Sequence, residues 1–193
     1  MKIGLFFGSF NPIHTGHLIV ANQVLNATDV TKIWFVLSPQ SPFKNSIDLL
    51  PDKERLYFLK LAIDSNPKFK VCDIELKLPQ PNYTATTLAM LNEKYPQHQF
   101  YILMGEDNIG SFHKWKNYAW ILDTFKIVVY KRGKVTTQDE IKNHQNVTFL
   151  DTALLQISST WIRRLLAEKK SIKYLVPDCI ENELNHCSFY QNK

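Results

Sequence analysis

Apolar residues in this chain fall into short unbroken runs separated by stretches of helical spacing, and the two kinds of pattern alternate throughout. Ile3 to Phe7 is the first run, of the kind shown by a strand buried on both faces, and the turn residues Gly8, Ser9, Asn11 and Pro12 close it. From Gly16 the spacing becomes helical, with Leu18, Ala21, Val24 and Leu25 sharing a face. Ile33 to Leu37, closed by Ser38-Pro39, is the second buried strand. Strand, loop, helix and strand in this order predict a right-handed βαβ unit.

The pattern continues in the same way. Pro39 to Pro51, with three prolines, predicts a long ordered loop; Asp52 is expected to cap the helix after it, which offers Leu56, Leu59, Leu61 and Ile63 to a core. A strand from Val71 to Leu76 precedes a helix that begins near Thr84 and stops at Tyr95-Pro96. Phe100 to Met104 is a further strand, ending in glycine, and an aromatic-rich stretch from Phe112 to Trp120 leads to a strand from Phe125 to Tyr130 and the turn Lys131-Arg132-Gly133. A strand around Val147 to Leu150 comes next. Ser158, Ser159 and Thr160 then supply capping hydroxyls for a helix through Leu166, and a last amphipathic helix follows Pro177. With no repeat and no linker, the expectation is one α/β domain over residues 1–193. Its central sheet is mostly parallel with helices on both faces, and the helical segment 158–193 packs on it.

Composition narrows the class. A chain 45% hydrophobic and 21% charged is neither disordered nor of low complexity. A net charge of +5 favours anionic partners and leaves nucleic acid, a membrane surface and a phosphorylated small molecule all open. The basic residues are scattered, and Lys131-Arg132 and Lys169-Lys170 are too short for a polybasic arm. Cys72, Cys179 and Cys187 form no C-x-x-C pair, which points to a reducing cytoplasm and away from a disulfide framework or a zinc site. No apolar run approaches the ~20 residues of a membrane span.

The densest chemical signal is Gly8-Ser9-Phe10-Asn11-Pro12-Ile13-His14-Thr15-Gly16-His17, placed where the first strand hands over to the first helix. A glycine-rich turn lets backbone N–H groups approach an anion, and a helix N-terminus adds about half a positive charge. His14 and His17, three apart with Gly16 between them, can face the same phosphates. As metal ligands they would lack the third ligand that a nearby Cys, Asp or Glu should supply. G-x-G-x-x-G is absent and no G-K-[ST] follows, so dinucleotide-dependent hydride transfer and Walker-type hydrolysis drop out.

The Gly8 to His17 segment resembles the T/H-x-G-H loop of the nucleotidylyltransferase superfamily. Ile157-Ser158-Ser159-Thr160-Trp161-Ile162-Arg163 resembles that superfamily's second signature, I-S-S-T-x-I-R. The bacterial nicotinate-nucleotide adenylyltransferases are the most similar branch. Pro39, Pro42 and Lys44 followed by Arg55 look like their proline-rich substrate loop and the helix after it, and Asn82-Tyr83-Thr84-Ala85-Thr86-Thr87-Leu88 is similar to their S-Y-T-x-x-T-L segment. Gly105-Glu106-Asp107 with Trp115-Lys116 looks like their G-x-D…W-K segment, and Tyr174-Leu175-Val176-Pro177 like their C-terminal signature. Asn82 departs from the usual serine, as does Phe43-Lys44 from the family's usual residues.

This resemblance implies a Rossmann-like nucleotidylyltransferase fold and transfer of AMP from ATP to nicotinate mononucleotide, giving nicotinate adenine dinucleotide and pyrophosphate. In that reaction His14 and His17 donate to the α- and β-phosphates. Ser159, Thr160 and the N–H groups of their helix start hold the β- and γ-phosphates, and Arg163 grips the polyphosphate. Gly8, Ser9, Phe10, Gly16, Ile157 and Ser158 line the phosphate loop, Gly105 falls to ATP binding, and Asp107 takes the adenosine ribose. Lys44, Thr84, Trp115 and Lys116 fall to nicotinate mononucleotide, with Trp115 stacked on the ring; packing alone is the competing role for Trp115, and helix capping for Thr84. Mg²⁺ enters mainly on the ATP phosphates, needing no dedicated metal ligands. The alternatives are a sister enzyme acting on nicotinamide mononucleotide or phosphopantetheine, and a non-enzymatic nucleotide- or nucleic-acid-binding module. Nucleic acid and membrane are not expected partners, and a homo-oligomer stays open. His98, His113, His144 and His186 are expected as exposed structural residues.

Overall fold

The computed structural model describes residues 1–39, 49–132, 138–151 and 155–191. Each buried apolar run forms a strand: β1 (Lys2–Gly8), β2 (Lys32–Leu37), β3 (Phe69–Cys72), β4 (Gln99–Gly105), β5 (Lys126–Tyr130) and β6 (Val147–Phe149). They make one sheet in the order β3-β2-β1-β4-β5-β6, and all five pairings are parallel. Leu5 of β1 stands opposite Trp34 of β2 on one side and Ile102 of β4 on the other. Strand order reverses at β1, so the C-terminal ends of β1 and β4 open a crevice where ligands of such sheets bind.

The apolar runs are unbroken because both faces of the sheet are covered. Phe6, Phe35, Leu103 and Val128 face helices α1 (Thr15–Ala27) and α2 (Asp52–Ile63) and the C-terminal helices α7 (Ser159–Ala167), α8 (Asp178–Asn185) and α9 (Ser188–Gln191). The alternate positions Leu5, Val36, Ile102 and Val129 face α3 (Thr84–Lys94) and α5 (Tyr118–Thr124). Two short helices, α4 (Glu106–Ile109) and α6 (Asp139–Lys142), complete the set among the described residues. In the C-terminal segment, α8 rests on α2 and α9 on α7.

Three expectations change. Pro51, not Asp52, is the N-cap of α2; Asp52 is its first helical residue and pairs with Arg55. The strand expected from Val71 to Leu76 ends at Cys72, because Asp73 (φ −98°, ψ 17°) leaves the extended region and Ile74–Lys77 closes a 3-10 turn. That turn is held by Leu76 N–H on Asp73 O (3.1 Å) and by Asn82 Nδ2 on Glu75 O (2.7 Å). Of the four remaining histidines only His186 is exposed; His98, His113 and His144 are half-buried, with His98 lying flat on Tyr95.

The buried stripe of α2 is Arg55, Phe58, Leu59, Ala62 and Ile63, so a guanidinium sits where an apolar side chain would be ordinary. Arg55 is fully buried and every one of its donors is used. Nε donates to Leu50 O (2.9 Å), Nη1 to Ser9 O (2.6 Å) and Ser38 O (2.8 Å), and Nη2 to Pro39 O (2.9 Å) and the Asp52 carboxylate. One residue therefore joins the loop after β1 to both ends of the segment between β2 and α2. Replacing Arg55 by Met removes all of these donors and strands buried carbonyls, so the urea unfolding midpoint should drop by the equivalent of at least about 3 kcal/mol. An unchanged midpoint would contradict the role given to this side chain.

Candidate active site

The loop from Gly8 to His17 runs across the crevice at the end of β1. Around it lies an open cleft of about 350 Å³ lined by Phe6, His14, Gly16, His17, Val20, Tyr130, Lys131, Arg132, Leu155 and Ile157. His14 is the N-cap of α1 in extended conformation (φ −147°, ψ 166°), and His17 is in the first turn. The two rings stack, with centroids 3.6 Å apart and planes 27° apart. Gly16 permits this: a Cβ there would lie 3.0 Å from His14 Nδ1.

Each imidazole has a definite hydrogen-bonding state. The backbone N–H of His14 donates to His17 Nδ1 (3.2 Å), which leaves the His17 proton on Nε2 as a free donor. His14 is buried, and neither of its ring nitrogens has a hydrogen-bond partner among the described residues. Burial, aided by the Arg132 charge, lowers the His14 pKa to about 3. Burial likewise holds His17 well below its ordinary value, with His14 and Arg132 acting in the same direction. The pair is thus neutral at pH 7 and offers N–H donors in place of positive charge. Phe10, in left-handed conformation (φ 43°), turns its ring inward against Phe6, Phe35 and His17, so only its backbone faces the loop's outer side.

The second motif docks on the first. Ser158 caps α7, its Oγ accepting from the Trp161 N–H (3.2 Å), while Ser159 Oγ donates to Pro12 O (2.9 Å). Arg163 donates from Nη1 to Asn11 O (2.9 Å) and from Nη2 to Thr160 Oγ1 (3.4 Å). Ile157 lines the cleft itself. Arg163 and Ser159 therefore hold the loop's backbone, and Arg163 keeps further N–H groups in its fork for a ligand. Thr15 N–H bonds Leu175 O (2.9 Å), which ties the Tyr174 to Pro177 segment to the same helix start.

Across the crevice, Gly105 ends β4, and a Cβ there would collide with the Asp107 carboxylate, so glycine lets that group fold back over the strand end. Asp107 Oδ2 lies 3.6 Å from Arg132 Nη1. Farther along, Lys116 Nζ sits 4.5 Å from the ring centre of Tyr83, which brings the Trp115-Lys116 and Tyr83-Thr84 segments together. Trp115 is half-buried against Phe112 (5.5 Å, 68°). Thr84 is the first residue of α3, whose N-cap is Tyr83, so capping is not its role. Lys44 lies outside the described residues. Among the described residues no group of three or more His, Cys, Asp or Glu is placed to hold a metal ion.

Several contributors escape sequence reading. Arg132 enters the cleft from the end of β5, and Asn11 Oδ1 accepts from Leu50 N–H (3.1 Å) and the Tyr190 hydroxyl (2.7 Å), joining the loop to α9. Buried Glu75 accepts from Thr87 Oγ1 (2.8 Å) and so links the 3-10 turn to α3. The signal for Arg132 is its place directly after a buried parallel strand; Asn11 and Glu75 carry none that spacing could show.

The histidine states carry a pH signature. A group whose folded pKa lies below its unfolded value contributes stability that is complete above the unfolded pKa and is lost as pH falls, because the unfolded chain takes up the proton first. For His14 the window runs from 6.5 down to about 3, and His17 adds to the same slope. The urea midpoint should therefore decline as pH drops from 6.5 to 4.5, and less steeply in His14→Phe. NMR titration should keep the His14 ring neutral through that range; a midpoint near 6.5 would refute the assignment.

Comparison with known proteins agrees with this geometry. The cytidylyltransferase-like family model matches residues 5–165. A probable nicotinate-nucleotide adenylyltransferase of Flavobacterium psychrophilum is 46% identical over 192 residues, covering 99% of this chain and 100% of the relative. One from Cytophaga hutchinsonii is 45% identical, covering 100% of both. Among solved structures, a Plasmodium falciparum nicotinic acid mononucleotide adenylyltransferase complexed with NaAD superposes with a TM-score of 0.82 at 20% identity, covering 100% of this chain and 98% of that one, a likeness of fold. The chain belongs to the cytidylyltransferase-like family and, within it, to the nicotinate-nucleotide adenylyltransferases.

Proposed function

We propose that this protein transfers the AMP part of ATP to nicotinate mononucleotide, releasing pyrophosphate and forming nicotinate adenine dinucleotide, a step of NAD biosynthesis. The observation that carries the reading is the stacked, neutral His14–His17 pair at the crevice where α1 and α7 both begin, with both His14 ring nitrogens unpartnered among the described residues and His17 bonded at Nδ1 alone. Buried polar atoms without partners ask for an explanation, and phosphate oxygens supply one.

The chemistry needs little else from side chains. The attacking phosphate has its second pKa near 6 and is ionised at neutral pH, so no general base is required. What is required is in-line alignment of two polyanions and stabilisation of charge as it builds on the α-phosphate and the departing pyrophosphate. His14 and His17 would donate N–H bonds at the α-phosphate. The first N–H groups of α7 with Ser159 and Thr160, and the free donors of Arg163, would take the β- and γ-phosphates. Mg²⁺ carried mainly by the ATP phosphates would complete the charge balance.

Nicotinate mononucleotide would lie toward Trp115, Lys116 and the start of α3, with the Lys116–Tyr83 contact as the join between the two segments. The reading takes the chain as one domain working in a reducing cytoplasm, where three free cysteines are ordinary. Pyrophosphate release with ATP and nicotinate mononucleotide tests the reading, with nicotinamide mononucleotide run alongside to set the preference. His14→Ala should lower kcat on the order of 10²–10³-fold, as loss of one charge-stabilising donor does. No pyrophosphate from either mononucleotide would sink the proposal.

A further inference from the structure

Arg132 is used by none of the steps above, yet it faces the cleft beside the histidine pair. Its backbone N–H donates to Glu106 Oε2 (3.1 Å), which fixes the start of the chain after β5. Its side chain leans over Gly105, with Cδ 3.3 Å from where a Cβ would stand, and ends 3.6 Å from Asp107 Oδ2. That separation exceeds a normal N–H···O bond, and the two side chains are 44% and 45% exposed. Such a pair contributes at most about 1 kcal/mol and is readily exchanged for better partners.

The exchange has a direction. Asp107 carries the only charge paired with Arg132 among the described ion pairs, and its carboxylate can accept hydrogen bonds from a vicinal diol as well as from a guanidinium. On the other side of Arg132 lies the cleft with His14 and His17, whose protonation its charge opposes. A polyanion in that cleft meets Arg132 with its planar fork more available when Asp107 is occupied elsewhere.

We propose that Arg132 is a second phosphate-binding arginine, and that its pairing with Asp107 couples recognition of the nucleotide's ribose to the grip on its phosphates. In the empty cleft Asp107 holds the guanidinium aside. Ribose hydroxyls then take the carboxylate and release Arg132 toward the polyphosphate. A triphosphate without a ribose must displace Asp107 itself, which favours ATP over free polyphosphate and inorganic pyrophosphate by the modest worth of the exposed pair. This rests on ATP as the substrate, and it adds a discrimination that the two family motifs do not contain.

Calorimetric binding of sodium tripolyphosphate and of ATP to four proteins, the unaltered chain, Asp107→Asn, Arg132→Gln and the double variant, tests the coupling. Asp107→Asn should bind tripolyphosphate about fivefold more tightly than the unaltered chain, the upper range for an exposed pair. In the Arg132→Gln background the same change should have less than about a twofold effect, the cycle isolating the pairwise contribution. Arg132→Gln alone should weaken ATP about tenfold, as loss of a charged phosphate contact does. An equal gain for Asp107→Asn in both backgrounds would reduce the effect to general charge removal and overturn the proposal, as would no gain at all. Because binding is read without nicotinate mononucleotide or turnover, failure of the acceptor assignment leaves this result interpretable on its own.

Discussion

A charged side chain in a protein interior is tolerated only when every donor is met, and Arg55 meets that condition with five hydrogen bonds at the top of the sheet. Burial lowers its pKa, with the Asp52 carboxylate working in the opposite direction. Its partners belong to three different stretches of chain: Ser9, the Ser38-Pro39 exit of β2, and Leu50 with Asp52 at the entry to α2. Backbone carbonyls at strand ends cannot complete a ladder, and a buried loop would leave them unpaired. The guanidinium replaces the missing ladder. It thereby sets the position of the Gly8 to His17 loop independently of any ligand.

A second set of contacts holds the same loop from the opposite side. Ser159 and Arg163 bond Pro12 O and Asn11 O, and Tyr190 reaches Asn11 Oδ1 from the last helix. Between these supports the two imidazoles stack at the helix start and line the cleft. Preorganisation of this kind is what electrostatic catalysis needs, since donors already in place cost no reorganisation when charge develops. The I-S-S-T-x-I-R motif accordingly fastens the first motif, besides the phosphate contact proposed for its helix N-terminus. A role confined to ligand contact would not place Ser159 and Arg163 on backbone oxygens.

The fold was legible wherever period and burial coincided. Strands covered on both faces read as continuous apolar runs, so β1, β2, β4 and β5 could be placed nearly to the residue, and the Ser158 cap of α7 could be named. The misplaced elements are those governed by tertiary contacts. Asp73 ends β3 because it leaves the extended region for a 3-10 turn that Asn82 holds through Glu75 O, and Asp52 serves Arg55 because a buried cation outcompetes a helix cap. In the candidate site, the motifs single out His14, His17, Ser159, Thr160 and Arg163, and the structure brings the two motifs together, whereas the states of these side chains were not legible. Stacking over Gly16, the neutral form of both rings, and Arg132 arriving from a strand far along the chain depend on distances that spacing does not encode.

The account turns on the triphosphate lying between the starts of α1 and α7. A crystal structure with a non-hydrolysable ATP analogue tests this most directly. It should show an α-phosphate oxygen within hydrogen-bond reach of His14 or His17 and the β- and γ-phosphates against Ser159 and Thr160. A triphosphate bound elsewhere, with both imidazoles untouched, would contradict it.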